Sequence, residues 1–217
     1  MREPSTGESV SFVSNVVLDG SVENWLGDLE VAMVNSMQKH LSSSIQAYRG
    51  KHKEKWITEV QGQLLITTGS IQWTNDCSKA LGNMSNGQKN AMRQLKKKQV
   101  SFLTRLTDMI RGQLPRLVRV KLVALITMEI HNRDVMERMI KTNCGSVADF
   151  EWLSQLRFIF NKEEGQFGGI CSVRQTNCHL DYGYEYILQC LGTCRIILLS
   201  GEQVSRKQWQ VGHHSAH

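Results

Sequence analysis

Gly82 and Gly87 in "GNMSNGQKN", five positions apart and followed closely by Lys89, have the residue types of a phosphate-binding loop. Such a loop works because glycine lets successive backbone N–H groups wrap the phosphates. A lysine directly after the second glycine reaches the outer phosphates, and a following hydroxyl ligates magnesium. Here Gln88 stands at the lysine position, Lys89 comes one place late and Asn90 brings no hydroxyl. The preceding "TNDCSKAL" is polar rather than a short apolar strand, so residues 82–90 are expected to be a solvated turn between helices.

Other reactive residue types are scattered. Cys77, Cys144, Cys171, Cys178, Cys190 and Cys194 contain no C-x-x-C pair, so neither a zinc knuckle nor a small disulfide framework is expected, and the thiols read as free and mostly buried. His131 follows Met128 by three and precedes Val135 by four, which puts it on or beside the apolar face of a helix as a packed histidine. No serine, cysteine or lysine stands in a nucleophile-elbow or triad context. The terminal histidines His213, His214 and His217 catch metal only adventitiously. The expectation is therefore no catalytic residue, no metal site and no cofactor site within this chain.

Charge offers a different chemistry. With 26 Lys and Arg against 20 Asp and Glu, the formal charge is +6. The basic residues cluster in "RQLKKKQ" (residues 93–99), with Arg105, Arg111, Arg116, Arg119 and Lys121 after it. Phosphate neutralisation is the main sequence-independent source of nucleic-acid affinity, yet the aromatic interleaving of single-strand binders is absent, and one solvated helix face accounts for the run. A free-standing basic helical module for a polyanion or a helical partner remains the alternative reading. No apolar run reaches the ~18 residues of a membrane span, and "MREPSTGESVSF" has no apolar centre of a secretory signal, so a cytosolic protein is expected.

The elements that would position these groups are mostly helical. Residues 1–20 show no sustained period and are expected to pack loosely. From Ser21, a plausible N-cap with Glu23 in the first turn, Trp25, Leu29, Met33, Met37, Leu41 and Ile45 recur every four residues along one amphipathic helix that Gly50 ends. A second segment opens at Trp56. "QGQLLITTGSIQWT" fits a helix through Leu64, Leu65, Thr68 and Ile71 and a strand through its β-branched content; its helical neighbours decide for helix. A basic helix over about 89–111 turns Leu95, Phe102, Leu103, Leu106 and Ile110 inward. Pro115 starts the next, with Leu117, Val120, Leu122, Leu125, Ile126, Met128, Val135, Met139 and Ile140 inward and Gly145 as its left-handed cap. Ser146 and Asp149 form a capping-box variant before "FEWLSQLRFIF", and beyond Asn161 the glycine-punctuated alternation predicts one or two short strands. The fold class is mainly α: long helices packed as a rod or bundle, with a short β element near the C-terminus.

"VENWLGDLEVAM" (residues 22–33), "WITEVQGQLLITTGSIQWT" (56–74), "KLVALITMEIHNRDVMERMI" (121–140), "DFEWLSQLRF" (149–158) and "VRQTNCHLDYGYEY" (173–186) together resemble a dynein heavy chain, most closely its axonemal branch. The resemblance runs in order over about 21–198. It implies the C-terminal part of the linker and the approach to the first ATPase module: a helical linker over 21–180, the start of the module over 181–198, and a divergent, disordered tail over 199–217. In this family the linker is a helical rod that lies across a ring of ATPase modules and swings during the ATP cycle, driving movement along microtubules in the ciliary axoneme.

From that resemblance follow a cytoplasmic, cytoskeletal location in the cilium, and as partners the ring of ATPase modules, other dynein subunits and microtubules through the full motor. ATP and magnesium belong to the full-length family rather than to this chain. The resemblance places Tyr182, Gly183, Tyr184, Glu185 and Tyr186 at the linker junction near the nucleotide rim. Gln61 stands where the family usually has proline, and Ser70 where glutamine is typical. "ILQC" intervenes before Leu191 and Gly192, and after "RIIL" the tail "LSGEQVSRKQWQVGHHSAH" replaces the family's continuation, as alternative splicing or premature termination upstream of the phosphate loop would produce.

Overall fold

The computed structural model describes residues 8–17, 20–50, 52–161 and 166–170, the last five and Asn161 by backbone alone. In chain order come α1 (Val22–Gly50), α2 (Lys53–Glu59), α3 (Gly62–Ser85), α4 (Ala91–Arg111), α5 (Arg116–Lys141), α6 (Phe150–Leu153), β1 (Arg157–Asn161) and β2 (Gln166–Ile170). The fold is mainly α, with long helices side by side and a short β element after them.

Helix α3 sits at the centre, against α1, α4, α5 and β1. Helix α4 folds back on α5: Lys96 pairs with Glu137, Gln99 with Glu129, and Leu106 packs in one cluster with Leu122, so the two run antiparallel. Three apolar clusters follow α3 along its length. Trp56, Leu65, Leu106, Leu122 and Leu125 lie near its start, Leu41, Ile45, Leu64, Ile71 and Phe158 on its α1 side, and Cys77, Leu81, Met92, Met136 and Trp152 towards its end. Each fully buried leucine contributes about 1.5–3 kcal/mol by leaving water.

The β-branched content of α3 is reconciled with helix by tertiary bonds. Thr68 Oγ1 meets Ser44 Oγ of α1 at 2.7 Å, and Trp56 Nε1 donates to the same Ser44 oxygen at 3.3 Å. Thr74 Oγ1 donates to Ser70 O at 3.0 Å and accepts the Phe158 N–H of β1 at 3.1 Å. At Gly69 a Cβ would lie 2.7 Å from Met128 Cε, so the missing side chain lets α3 and α5 approach.

Helices α3 and α5 end alike. Gln88 N–H donates to Asn83 O and Gly87 N–H to Met84 O, with Gly87 at φ 98°. Cys144 N–H donates to Met139 O and Asn143 N–H to Ile140 O, with Asn143 at φ 54°. Both are Schellman closures, whose left-handed residue suits glycine or asparagine. The left-handed cap of α5 is thus Asn143, not Gly145 as expected. Gly145 and Ser146 instead donate their N–H groups to Asp149 Oδ2 at 2.7 and 3.0 Å.

Three further expectations are corrected. The apolar stripe of α1 is buried only from Met37 onward; Trp25 is exposed, while Leu29 and Met33 are half-buried, because no described element packs along the first turns. Val120 of α5 faces solvent, one position from the seam that buries Lys121 and Leu122. In "FEWLSQLRFIF" the helix lasts one turn, and residues 157–161 form a strand paired antiparallel with 166–170, Phe158 opposite Gly169. Phe158 faces the core and Ile159 solvent, the period-2 pattern of a half-buried strand. Ahead of α1, residues 8–17 lie against the bundle: Val13 N–H donates to Ser36 Oγ at 3.1 Å and His40 Nε2 lies 2.9 Å from Ser11 O.

Candidate functional site

Residues 82–90 take the form of a helix end and turn. Gly82 lies inside α3, where its N–H serves the helix, and the segment follows a helix instead of a strand. Lys89 and Asn90 line a groove of about 560 Å³ with Met84, Met92, Arg93 and Cys144, where the two Schellman turns meet. The strand-to-helix geometry that aims N–H groups at phosphates is not built here.

The basic run divides by role. Lys96 is held 3.3 Å from Glu137, and Arg119 donates to Ile110 O at 2.8 Å and Gly112 O at 3.1 Å, closing the end of α4. Lys121, expected among the solvated cations, is buried: its Nζ donates to Val60 O at 2.8 Å and Thr58 O at 3.2 Å and lies 3.6 Å from the Glu8 carboxylate. These positions serve the fold, and they remove much of the support for the polyanion reading. Arg93, Lys97, Lys98 and Arg105 of α4 remain exposed.

A polar cluster that the sequence reading missed lies between α3, α4 and α5. Buried Gln99 donates through Nε2 to Glu129 Oε2 at 2.8 Å and to Glu129 O at 3.3 Å. Burial, reinforced by the Asp76 charge, pushes the Glu129 carboxyl up to about 7 against the pull of the Gln99 bond. Beside it a cavity of about 170 Å³ is walled by Tyr48, Trp73 and Phe102 and rimmed by Lys53, Asp76, Lys98 and Arg105. Lys53 Nζ donates to Tyr48 O at 2.8 Å over the Tyr48 ring, and burial lowers its ammonium to about 8. The signal was in the pattern: Gln99 and Glu129 each occupy an inward position of an amphipathic helix, where a polar side chain needs a partner.

Cys77 and Cys144 are free and buried, and burial raises both thiols, so neither is poised as a thiolate. His131 is half-buried, with burial and Arg138 favouring its neutral form. Among the described residues no group of three or more His, Cys, Asp or Glu could hold a metal ion, and no helix is long and apolar enough to cross a membrane. Tyr182, Gly183, Tyr184, Glu185 and Tyr186 lie outside the described residues, as do the remaining four cysteines and the terminal histidines.

Fold and site together define a helical packing element: a core that runs the length of α3 and chemistry-bearing residues that mostly hold helices together. The sequence is 44% identical over 180 residues to the dynein-1-beta heavy chain of the flagellar inner arm I1 complex of Chlamydomonas reinhardtii, covering 83% of this chain. It is 41% identical over 184 residues to human dynein axonemal heavy chain 2 and 30% identical over 185 to human dynein axonemal heavy chain 6. The chain belongs to the axonemal dynein heavy chain family, and it spans 4% of the length of these relatives. No protein-family model matches it.

Proposed function

We propose that this chain is the mechanical linker part of an axonemal dynein heavy chain, an element that transmits displacement by stiffness and is not itself catalytic. The observation that carries this reading is the packing of α3, clasped by α1, α4, α5 and β1 with apolar clusters along its whole length. A core packed to crystal-like density deforms little, so a push at one end arrives at the other. Family membership supplies the motor context. In it the partners are the ring of ATPase modules, other dynein subunits and, through the whole motor, microtubules of the ciliary axoneme. ATP and magnesium are held by the modules, with Tyr182, Gly183, Tyr184, Glu185 and Tyr186 at the junction towards them.

The test softens the lever without touching nucleotide chemistry. Leu81→Ala and Leu122→Ala, introduced together into the motor carrying this segment, remove fully buried side chains at opposite ends of the core, each costing about 2–5 kcal/mol. Microtubule gliding is expected to slow while ATP turnover persists. Unchanged gliding, or ATP turnover by the purified 217-residue chain, overturns the reading.

A further inference from the structure

Two complementary surfaces stand at opposite ends of the bundle. Ser44 of α1 meets Thr68 of α3, and Tyr48 lines the same cavity as Trp73 and Asp76, so α1 runs parallel to α3. The residues of α1 ahead of Met37 therefore project past the start of α3, and none of residues 22–31 is buried. The groove where the two Schellman turns meet lies at the other end of the 24-residue α3, about 36 Å further along the helix axis. The start of α1 cannot reach the groove of its own chain.

That start has the pattern of a docking helix. Val22, Trp25, Leu26 and Leu29 stand at i, i+3, i+4 and i+7, the anchor spacing of a helix that lays one face into an apolar groove. Val22 is 59% exposed and Leu26 63%. The stripe runs on through Met33 into Met37 and Leu41, the face that α1 buries in the bundle. So short a helical stretch is marginal in water without packing, and a cover stabilises it. Its charge is one-sided: Glu23, Asp28 and Glu30 flank the stripe, and no Lys or Arg precedes Lys39 within α1. Two such helices laid together would bring carboxylates against carboxylates, so the cover is not another α1.

We propose that the start of α1 docks into the groove between Met84 and Ile140 of a second copy of this chain, head to tail, with Trp25 and Leu26 as anchors and the α1 carboxylates towards Lys89 and Arg93.

The groove matches in size and sign. Its volume is about 560 Å³, more than three times the roughly 150 Å³ that holds a benzene ring, which leaves room for an indole beside a leucine. Met84, Met92 and Ile140 give it an apolar lining, and thioethers adapt to irregular partners and attract aromatic rings. Lys89 and Arg93 are exposed at its rim, and among the described residues no carboxylate lines it. Unlike patches in contact leave one of each free on the pair, so the association propagates from copy to copy. Both patches are small and their charges exposed, which makes the contact weak and sensitive to salt.

The test is sedimentation velocity of the full chain and two exposed double variants, Trp25→Ala with Leu26→Ala and Lys89→Glu with Arg93→Glu, whose melting temperatures confirm the fold. The wild-type chain is expected to associate as its concentration rises, and less so in high salt. Each variant alone should associate at least about tenfold more weakly. An equimolar mixture of the two should form a dimer and stop there, because each supplies the surface that the other lacks. Undiminished association of either variant, or a mixture no larger than its parts, overturns the proposal. A wild-type chain that stays monomeric up to about 1 mM overturns it as well. If that monomer binds a leucine–lysine amphipathic peptide through Trp25, the start of α1 serves another polypeptide and not a second copy.

Discussion

Lys121 Nζ lies 3.6 Å from the carboxylate of Glu8, whose other oxygen accepts the Gly62 N–H at 2.9 Å, so one carboxylate ties α5 to the start of α3. The lysine side chain is 6% exposed and the glutamate 14%, which removes most solvent screening from the pair. Breaking a buried pair by deleting one partner strands the other charge, at a cost of about 3–5 kcal/mol. Lys121→Met is therefore expected to destabilise by about 3 kcal/mol in urea unfolding, and Glu8→Gln by less, since the amide oxygen still accepts from Gly62. The double variant should recover part of the loss.

Glu129 makes stability depend on pH in the direction opposite to most carboxylates. Its folded carboxyl holds its proton to about 7, against 4.5 when unfolded. The folded state is thus favoured below 4.5, and the advantage is lost as pH rises from 4.5 to about 7, by at most about 3 kcal/mol. Asp76, also raised by burial, acts in the same direction. Glu23, Glu137 and Asp149 are lowered by hydrogen bonds and weaken the fold only in more acid solution. The melting temperature is expected to be higher at pH 5 than at pH 7.5, and Glu129→Gln should flatten that slope.

Gly69 tests the α3–α5 approach. An alanine there gains up to about 1 kcal/mol of helix propensity but displaces Met128 Cε, the far end of a flexible side chain. The two effects offset, so Gly69→Ala should change stability little. Gly69→Leu has no room beside Leu125 and Met128 and should cost about 1–3 kcal/mol, seen as a lower urea midpoint.

Gln61 occupies a backbone made for proline. Its φ is −61° and ψ 145°, and Val60 before it is extended at φ −85° and ψ 141°, as a residue preceding proline must be. Gln61→Pro is expected to stabilise by about 0.4–1 kcal/mol through the unfolded chain. A fall in melting temperature would show that the Gln61 side chain or N–H holds something that proline loses.

Asn143 closes α5 with φ 54°. Asn143→Gly should be neutral or slightly stabilising, whereas Asn143→Val, with a branched Cβ in the left-handed region, should cost about 1–2 kcal/mol. Thermal melts of the two variants separate conformational strain from loss of the side chain.

The helices were legible because their causes are local. A stripe every three or four residues, proline at a helix start and glycine in a turn act within a few positions of themselves, and α1, α4 and α5 lie within about two residues of where those signals put them, whereas α3 runs on to Ser85, past Gly82 where a turn was expected. The strand at 157–161 was missed because its neighbours read as helix, while its alternation showed only against α3. Whether Trp25 is covered, why Lys121 is buried, and how Gln99 and Glu129, 30 positions apart, come to share a cavity beside Trp73 depend on elements remote in the chain. The sequence by itself determined the helices and their family. Burial, the Glu8–Lys121 tie and the Gln99–Glu129 pair were decided only by tertiary structure, because the free energy of a buried charge or an unpaired amide is set by what other helices bring to it.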